Sequence, residues 1–228
     1  MSISSSTIHL IIILVISALL ILTGLKKQPG IGILCAIIII LLFLWARGVP
    51  ISDIGFSPPK NWITTLVMGL GLGLIIQLLA VILIEPLSEK ITQSKHDHSL
   101  IEAVKGNWKV FLQWMLMVWI LVAVIEEGIY RGYLMTELKN LLGLGSVALI
   151  INLLFSSVVF GLSHGYQGNS GILSTGIIGV ILGIIFILSD FNLWLVIFTH
   201  GFIDTIGIGL IAIGGEDYIQ KRIWKNRA

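Results

Sequence analysis

From Asn140 to Ser189 the chain runs fifty residues without a single Asp, Glu, Lys or Arg. A water-soluble domain cannot bury a stretch of that kind whole, whereas a bilayer is a solvent for it. The same bias holds along the chain: 56% of the 228 residues are hydrophobic and 11% are charged, and the mean hydropathy is +1.02. The sequence therefore predicts an all-α, polytopic transmembrane helix bundle, because a helix satisfies its own backbone hydrogen bonds in hydrocarbon.

Seven segments approach the ~20 apolar residues needed to cross a ~30 Å hydrocarbon layer. They run from about Thr7 to Leu25, Ile31 to Ala46, Trp62 to Ile84, Val110 to Tyr130 or beyond, Gly145 to Leu162, Gly171 to Leu188, and Leu193 to Ile213. The expectation is seven to eight spans; a missed eighth would reverse the N-terminus and leave the C-terminus in place. The N-terminal run lacks a basic leader and ends in Lys26 and Lys27 rather than at a small-residue cleavage site, so it reads as a retained first span. Residues 85–109 are polar and read as a loop outside the bilayer with one amphipathic turn. The organisation expected is 1–109, N-terminal spans and polar loop; 110–213, a helix bundle carrying the chemistry; and 214–228, a basic tail.

With the N-terminus outside, Lys26, Lys27, Lys90, Lys95, Lys105, Lys109, Lys221, Arg222, Lys225 and Arg227 fall on the cytoplasmic side, as short basic loops do. A net charge of +2 and a pI near 8.7 are too mild for a nucleic-acid partner, and the basic residues flank apolar runs, where lipid head groups are the natural counter-charge. The expected location is the cell membrane. The single cysteine, Cys35, excludes an internal disulfide and a cysteine zinc cluster, and reads as a packing or lipid-facing residue. Gly69, Gly71 and Gly73, and Gly179 with Gly183, have the spacing of close helix contact in a membrane.

Against this background a few ionisable residues stand out. Glu126, Glu127 and Arg131 lie in "VIEEGIYRGYL", His164 in "VVFGLSHGYQG", and His200 with Asp204 in "FTHGFIDTIG". A charge at the centre of a span costs about 2.5–3.5 kcal/mol on insertion scales, so each needs a partner or a function. Glu127 with Arg131, and His200 with Asp204, are i, i+4 pairs able to neutralise each other. Glu126 is about 100° around the helix from Glu127 and has Tyr130 at its own i+4 position, so its partner must come from another helix, His164 or His200 being available. Carboxyl groups and imidazoles from three helices allow two hydrolytic routes. Two His with Glu or Asp leave a position for a metal-activated water; without metal, a carboxylate takes the proton from a water that an imidazole orients. A proton-coupled transporter or channel, in which Glu and His titrate in turn, uses the same residue types.

These motifs resemble a known family. "EEGIYR" is similar to EExxxR, "FGLSH" to FxxxH and "HGFID" to HxxxN/D, in the order found in type II CAAX prenyl endopeptidases and the bacterial CPBP (abortive infection, Abi) membrane proteins. The resemblance spans about residues 110–213. It implies an intramembrane endopeptidase acting on membrane-associated proteins or peptides, with Glu126 activating water together with His164. It further implies Glu127 and Arg131 as supporting residues, His200 and Asp204 on the oxyanion or metal side, and Phe160 closing the pocket one turn before His164. Asp204 stands where the family often has Asn. A Zn2+ ion held by Glu126, His164, His200 and Asp204 and a metal-free glutamate mechanism are both compatible with the resemblance, as is a non-catalytic immunity protein of the same fold.

One depth problem arises. In seven plain spans Glu126 comes late, His164 late in the antiparallel neighbour and His200 early in the last. The fourth helix is therefore expected to run on past Arg131 to about Leu138, and the glycines at 161, 165, 168 and 171 to break the fifth inside the protein.

Overall fold

The computed structural model describes residues 4–224, and among these there is no strand. Seven helices are long and apolar enough to cross a membrane: α1 Ser5–Leu25, α2 Pro29–Arg47, α3 Trp62–Thr92, α4 Trp108–Leu142, α5 Ser146–Ser163, α6 Gly165–Leu188 and α7 Leu193–Ala212. A short helix α8, Gly215–Ile223, follows. The chain is thus a multi-pass membrane protein of all-α architecture. Lys225 and Arg227, expected on the basic side, lie outside the described residues, and nothing is described of the Lys221 side chain.

Leu, Ile and Trp side chains project outward along the spans, Leu34, Trp45, Ile63 and Leu116 among them, which is the surface a helix presents to lipid rather than water. The inner faces pack in pairs. α3 lies along α7, α5 along α6, and α1 against both α2 and α5. One core joins Ile13, Ile16 and Leu20 of α1, Ala36 and Ile40 of α2, Ile129 and Tyr133 of α4, and Val159 and Phe160 of α5. Residues from both sides of position 109 share it.

Small residues set these approaches. A Cβ on Gly69 would lie 2.5 Å from the Phe198 Cβ, and one on Gly73 2.6 Å from the Phe202 Cβ and 2.9 Å from the Thr199 carbonyl. Gly183 is as tightly placed against Leu153. Gly71 is different: it faces outward with open space around it. Gly73→Ala should therefore destabilise the α3–α7 pair by about 1–3 kcal/mol through overpacking, while Gly71→Ala should cost nothing. Thermal melting of the two variants in one detergent checks this, and equal loss would remove the packing explanation.

α4 is the element that resolves the depth problem. It continues beyond Arg131 to Leu142, which leaves Glu126 midway along it. Two stretches of α4 are widened to π-helical geometry, Val118–Val122 and Gly128–Met135. Such a turn weakens the intrahelical ladder and needs outside partners. α5 supplies them: Ser156 Oγ donates to the Tyr130 carbonyl at 3.1 Å and Asn152 Nδ2 to the Met135 carbonyl at 2.7 Å.

The break between the fifth and sixth spans also appears, at the junction rather than within α5. α5 ends at Ser163, His164 is its C-cap, and a single 3-10 turn, Gly165–Gln167, leads into the rest of α6. Gly168 takes φ +78° there.

Residues 85–109 depart from the expected loop. Glu85–Thr92 is helix and prolongs α3, and only 93–107 is irregular, with one 3-10 turn at Glu102–Val104. Pro86 tolerates this because a π-helical stretch, Ala80–Ile84, precedes it, and the Ile82 carbonyl four residues back accepts instead from Trp224 Nε1 at 2.9 Å. The 93–107 segment folds back over the α5–α6 turn, where the Asp97 amide donates to the Gln167 carbonyl at 3.0 Å. Lys27 Nζ reaches Asp97 at 3.2 Å and His98 reaches Glu216 of α8 at 3.2 Å. The α1–α2 turn, this segment and α8 are therefore gathered at one end of the bundle, as the basic-loop pattern requires.

Candidate active site

Glu126 and Glu127 are adjacent on α4 and buried, with 7% and 0% of their surface exposed; Arg131 is 0% exposed. The i, i+4 pair forms as expected, Arg131 Nη1 donating to Glu127 Oε1 at 2.8 Å. The pair is not self-contained. His200 Nδ1 lies 2.7 Å from the same Glu127 oxygen, and Arg131 Nη2 donates to the Gly179 carbonyl of α6 at 3.1 Å. Glu127 thus joins α4 to α7, and Arg131 joins α4 to α6.

The two imidazoles are oriented alike. His164 Nδ1 donates to the Phe160 carbonyl at 2.7 Å, and His200 Nδ1 donates to Glu127. With Nδ1 engaged in each, both rings present Nε2 to the interior. Nε2 of His164 stands 3.8 Å from Glu126 Oε2, and Nε2 of His200 stands 3.6 Å from Asp204 Oδ2. Glu126 accordingly meets a group from another helix, His164, and Oε2 has no hydrogen-bond partner.

Phe160 is the hub of this arrangement. Its ring packs against His164 (4.6 Å between centroids), His200 (6.1 Å) and Tyr130 (4.9 Å), and the Arg131 guanidinium lies 4.4 Å from its centroid. In the sequence Tyr130 is only the neutral residue at the i+4 position of Glu126. It has its own part: its hydroxyl donates to Ser163 Oγ at 2.7 Å, which in turn donates to the Phe160 carbonyl at 2.7 Å. Two spaces open beside these groups. One, about 10 Å³, is bordered by Glu126, Tyr130, Ser163, His164 and Tyr166, and matches a single water. The other, about 150 Å³, is bordered by Phe160, His164, His200 and Asp204. His164 is common to both.

Residues 108–206 match the family model described as type II CAAX prenyl endopeptidase Rce1-like. This stretch is similar to an Rce1-like domain. It holds all six motif residues, Glu126, Glu127, Arg131, His164, His200 and Asp204, and the family supports an endopeptidase of CAAX type in general terms. No curated protein and no solved structure matches the chain.

The larger space extends beyond the Rce1-like domain. It is also lined by Glu85 in the last part of α3, His96 and His98 of the 93–107 segment, and Glu216 of α8. Sequence reading passed over these four, since two histidines in a polar loop carry no periodicity and their nearest carboxylates lie on other elements. The loop is held firmly: the His96 amide donates to Glu89 Oε1 at 3.1 Å, and Asp97 accepts from the Ser99 amide at 3.0 Å and from Lys27. Those bonds hold the Asp97 carboxyl down at about 2, the Ser99 contacts contributing most. Burial, and then the neighbouring His98, push the His96 imidazole down to about 4.

The motif groups come together around two imidazoles, His164 beside Glu126 and His200 between Glu127 and Asp204. Among the described residues, the trio whose ligand atoms all lie within 4.8 Å of one another is instead Glu85, His96 and His98.

Proposed function

We propose that the protein is an intramembrane endopeptidase that hydrolyses peptide bonds of membrane-associated proteins or peptides, with Glu126 as general base. The observation that carries this reading is the unpartnered Glu126 Oε2, buried 3.8 Å from His164 Nε2 beside a space the size of one water. A carboxylate oxygen kept from water without a hydrogen bond costs several kcal/mol, a cost that a donor in the adjacent space would offset. A water in that space would donate to Glu126 and to the free Nε2 lone pair of His164.

The chemistry follows in two transfers. As the water oxygen attacks the scissile carbonyl carbon, Glu126 takes its proton and the carbonyl becomes an oxyanion. As the C–N bond breaks, the proton passes from Glu126 to the leaving amine. His164 orients the water, its ring fixed by the Phe160 carbonyl. His200 and Asp204 line the wall of the larger space, where the oxyanion forms and the substrate peptide enters. Glu127 and Arg131 are positioning residues: they hold His200 in the tautomer that leaves Nε2 facing inward.

The donor set also suits zinc. Metal-bound imidazoles characteristically donate their second N–H to a carboxylate or a backbone carbonyl, which describes His200 and His164 respectively. A zinc ion held by the two Nε2 atoms with Glu126 or Asp204 would supply Lewis acidity at the carbonyl and a more acidic water. On the basic-loop rule the larger space faces the cytoplasmic side.

The test is a proteolysis assay of the purified chain in vesicles against membrane-anchored peptides, with product masses recorded. Hydrolysis requires paired fragments whose masses sum to the substrate plus one water; no such pairs across a broad peptide set would refute the assignment. In the same assay a strong chelator should abolish cleavage and zinc should restore it. Undiminished cleavage by protein with less than about a tenth of a zinc per chain would leave water activation to Glu126 alone.

A further inference from the structure

Glu85, His96 and His98 come from two different parts of the chain, yet each offers a ligand atom within 4.8 Å of the other two. None lies in the Rce1-like domain. Glu85 is 9% exposed, and its Oε2 makes no hydrogen bond; neither does the buried Nδ1 of His96. Two buried ligand-type atoms without partners, on residues that border one cavity, are an arrangement that costs stability unless something binds there. Glu216 of α8 stands 3.2 Å from His98 Nε2 as a fourth oxygen donor.

We propose that Glu85, His96 and His98, with Glu216 completing the set, form a site for a zinc-type divalent cation at the mouth of the cavity that His164, His200 and Asp204 line. Two imidazoles select zinc and its transition-metal neighbours over magnesium or calcium, which take oxygen ligands. Tetrahedral ligation at about 2.0–2.2 Å per donor puts the donors roughly 3.3–3.6 Å apart, so the widest pair, within 4.8 Å here, closes by about 1.5 Å at most. Backbone anchoring already places the loop. The His96 amide is held by Glu89 and the Asp97 amide by the Gln167 carbonyl, so the residues that alternate with Asp97 both turn toward Glu85. The rings of His96 and His98 lie stacked, 4.4 Å apart with 8° between their planes. A bound ion would tie α3, the 93–107 segment and α8 together across the cavity mouth.

The site stands whether or not the protein is a protease, and the experiment separates it from the motif site. The purified full chain is stripped with a chelator, then titrated with Co2+ and with Zn2+ and assayed by visible d–d absorption and elemental analysis. Three forms are compared: wild type, His164→Ala with His200→Ala, and that motif double variant with His96→Ala and His98→Ala added. The expected result is that wild type and the motif double variant bind cobalt with tetrahedral-type absorption. With the motif imidazoles absent, the added loop substitutions should cost at least about 100-fold in affinity, more than the loss of an outer-shell partner costs. Zinc should also slow hydrogen exchange in residues 93–107 in wild type and in the motif double variant, and not in the form that carries the loop substitutions. Glu85→Gln, which keeps the size of the side chain and is likewise added to the motif double variant, repeats the test should the loop variant melt early without metal; it should weaken cobalt at least tenfold. Wild-type affinity in either the folded loop variant or Glu85→Gln, or no binding by wild type, overturns the proposal.

Discussion

Glu126→Gln should lower peptide hydrolysis by about 10²- to 10⁴-fold, the range a general base supplies, while the protein melts at least as high as wild type. The asymmetry follows from where Glu126 sits. Its Oε2 contacts no hydrogen-bond donor, so the amide breaks no bond at that atom, and removing a buried carboxyl group relieves desolvation. His164 should behave differently. Its Nδ1 binds the Phe160 carbonyl and its ring packs on Phe160, so His164→Ala should lose activity and stability together. The measurement is initial rate and melting temperature for both variants on one substrate. A folded Glu126→Gln protein cleaving at more than a tenth of the wild-type rate would remove Glu126 as the base.

Much of this was legible in the sequence because membrane helices write themselves in hydropathy. The seven spans and the need for α4 to run past Arg131 both follow from apolar length and from where the charges fall. The three motifs announced one site because charge inside apolar runs is rare and must be explained. What the sequence could not convey was which helix each polar group faces. Glu127 and Arg131 read as a closed i, i+4 pair, yet His200, seventy-three residues on, shares the same carboxylate oxygen. Spacing reports neighbours on one helix and is silent about neighbours on another. The π-helical turn at Gly128–Met135 was equally hidden, since the side chains that stabilise it, Asn152 and Ser156, belong to α5. Residues 93–107 posed a third difficulty: their order comes from single bonds to Glu89, Gln167, Lys27 and Glu216, none of which leaves a periodic trace.

The Glu127–Arg131–His200 cluster yields the second large effect. Arg131→Met keeps an apolar stem but removes the guanidinium that lies over Phe160, leaving Glu127 with its charge buried and one donor, His200, in place of two. Breaking a buried ion pair from one side costs about 3–5 kcal/mol, most of it the penalty of the stranded charge. Arg131→Met should therefore lower the melting temperature and the yield of folded protein sharply. Adding Glu127→Gln removes the stranded charge, and a neutral amide oxygen still accepts from His200, so the double variant should recover part of the loss. The Gly179 carbonyl loses its Arg131 donor in both the single and double variants, and that contribution cancels from the cycle. The activity readout separates positioning from stability: the double variant, though better folded than Arg131→Met, should remain slow because His200 is no longer held by a carboxylate. Strictly additive melting losses would show that Glu127 and Arg131 serve separate partners. Wild-type rates in the double variant would show that His200 needs no anionic anchor.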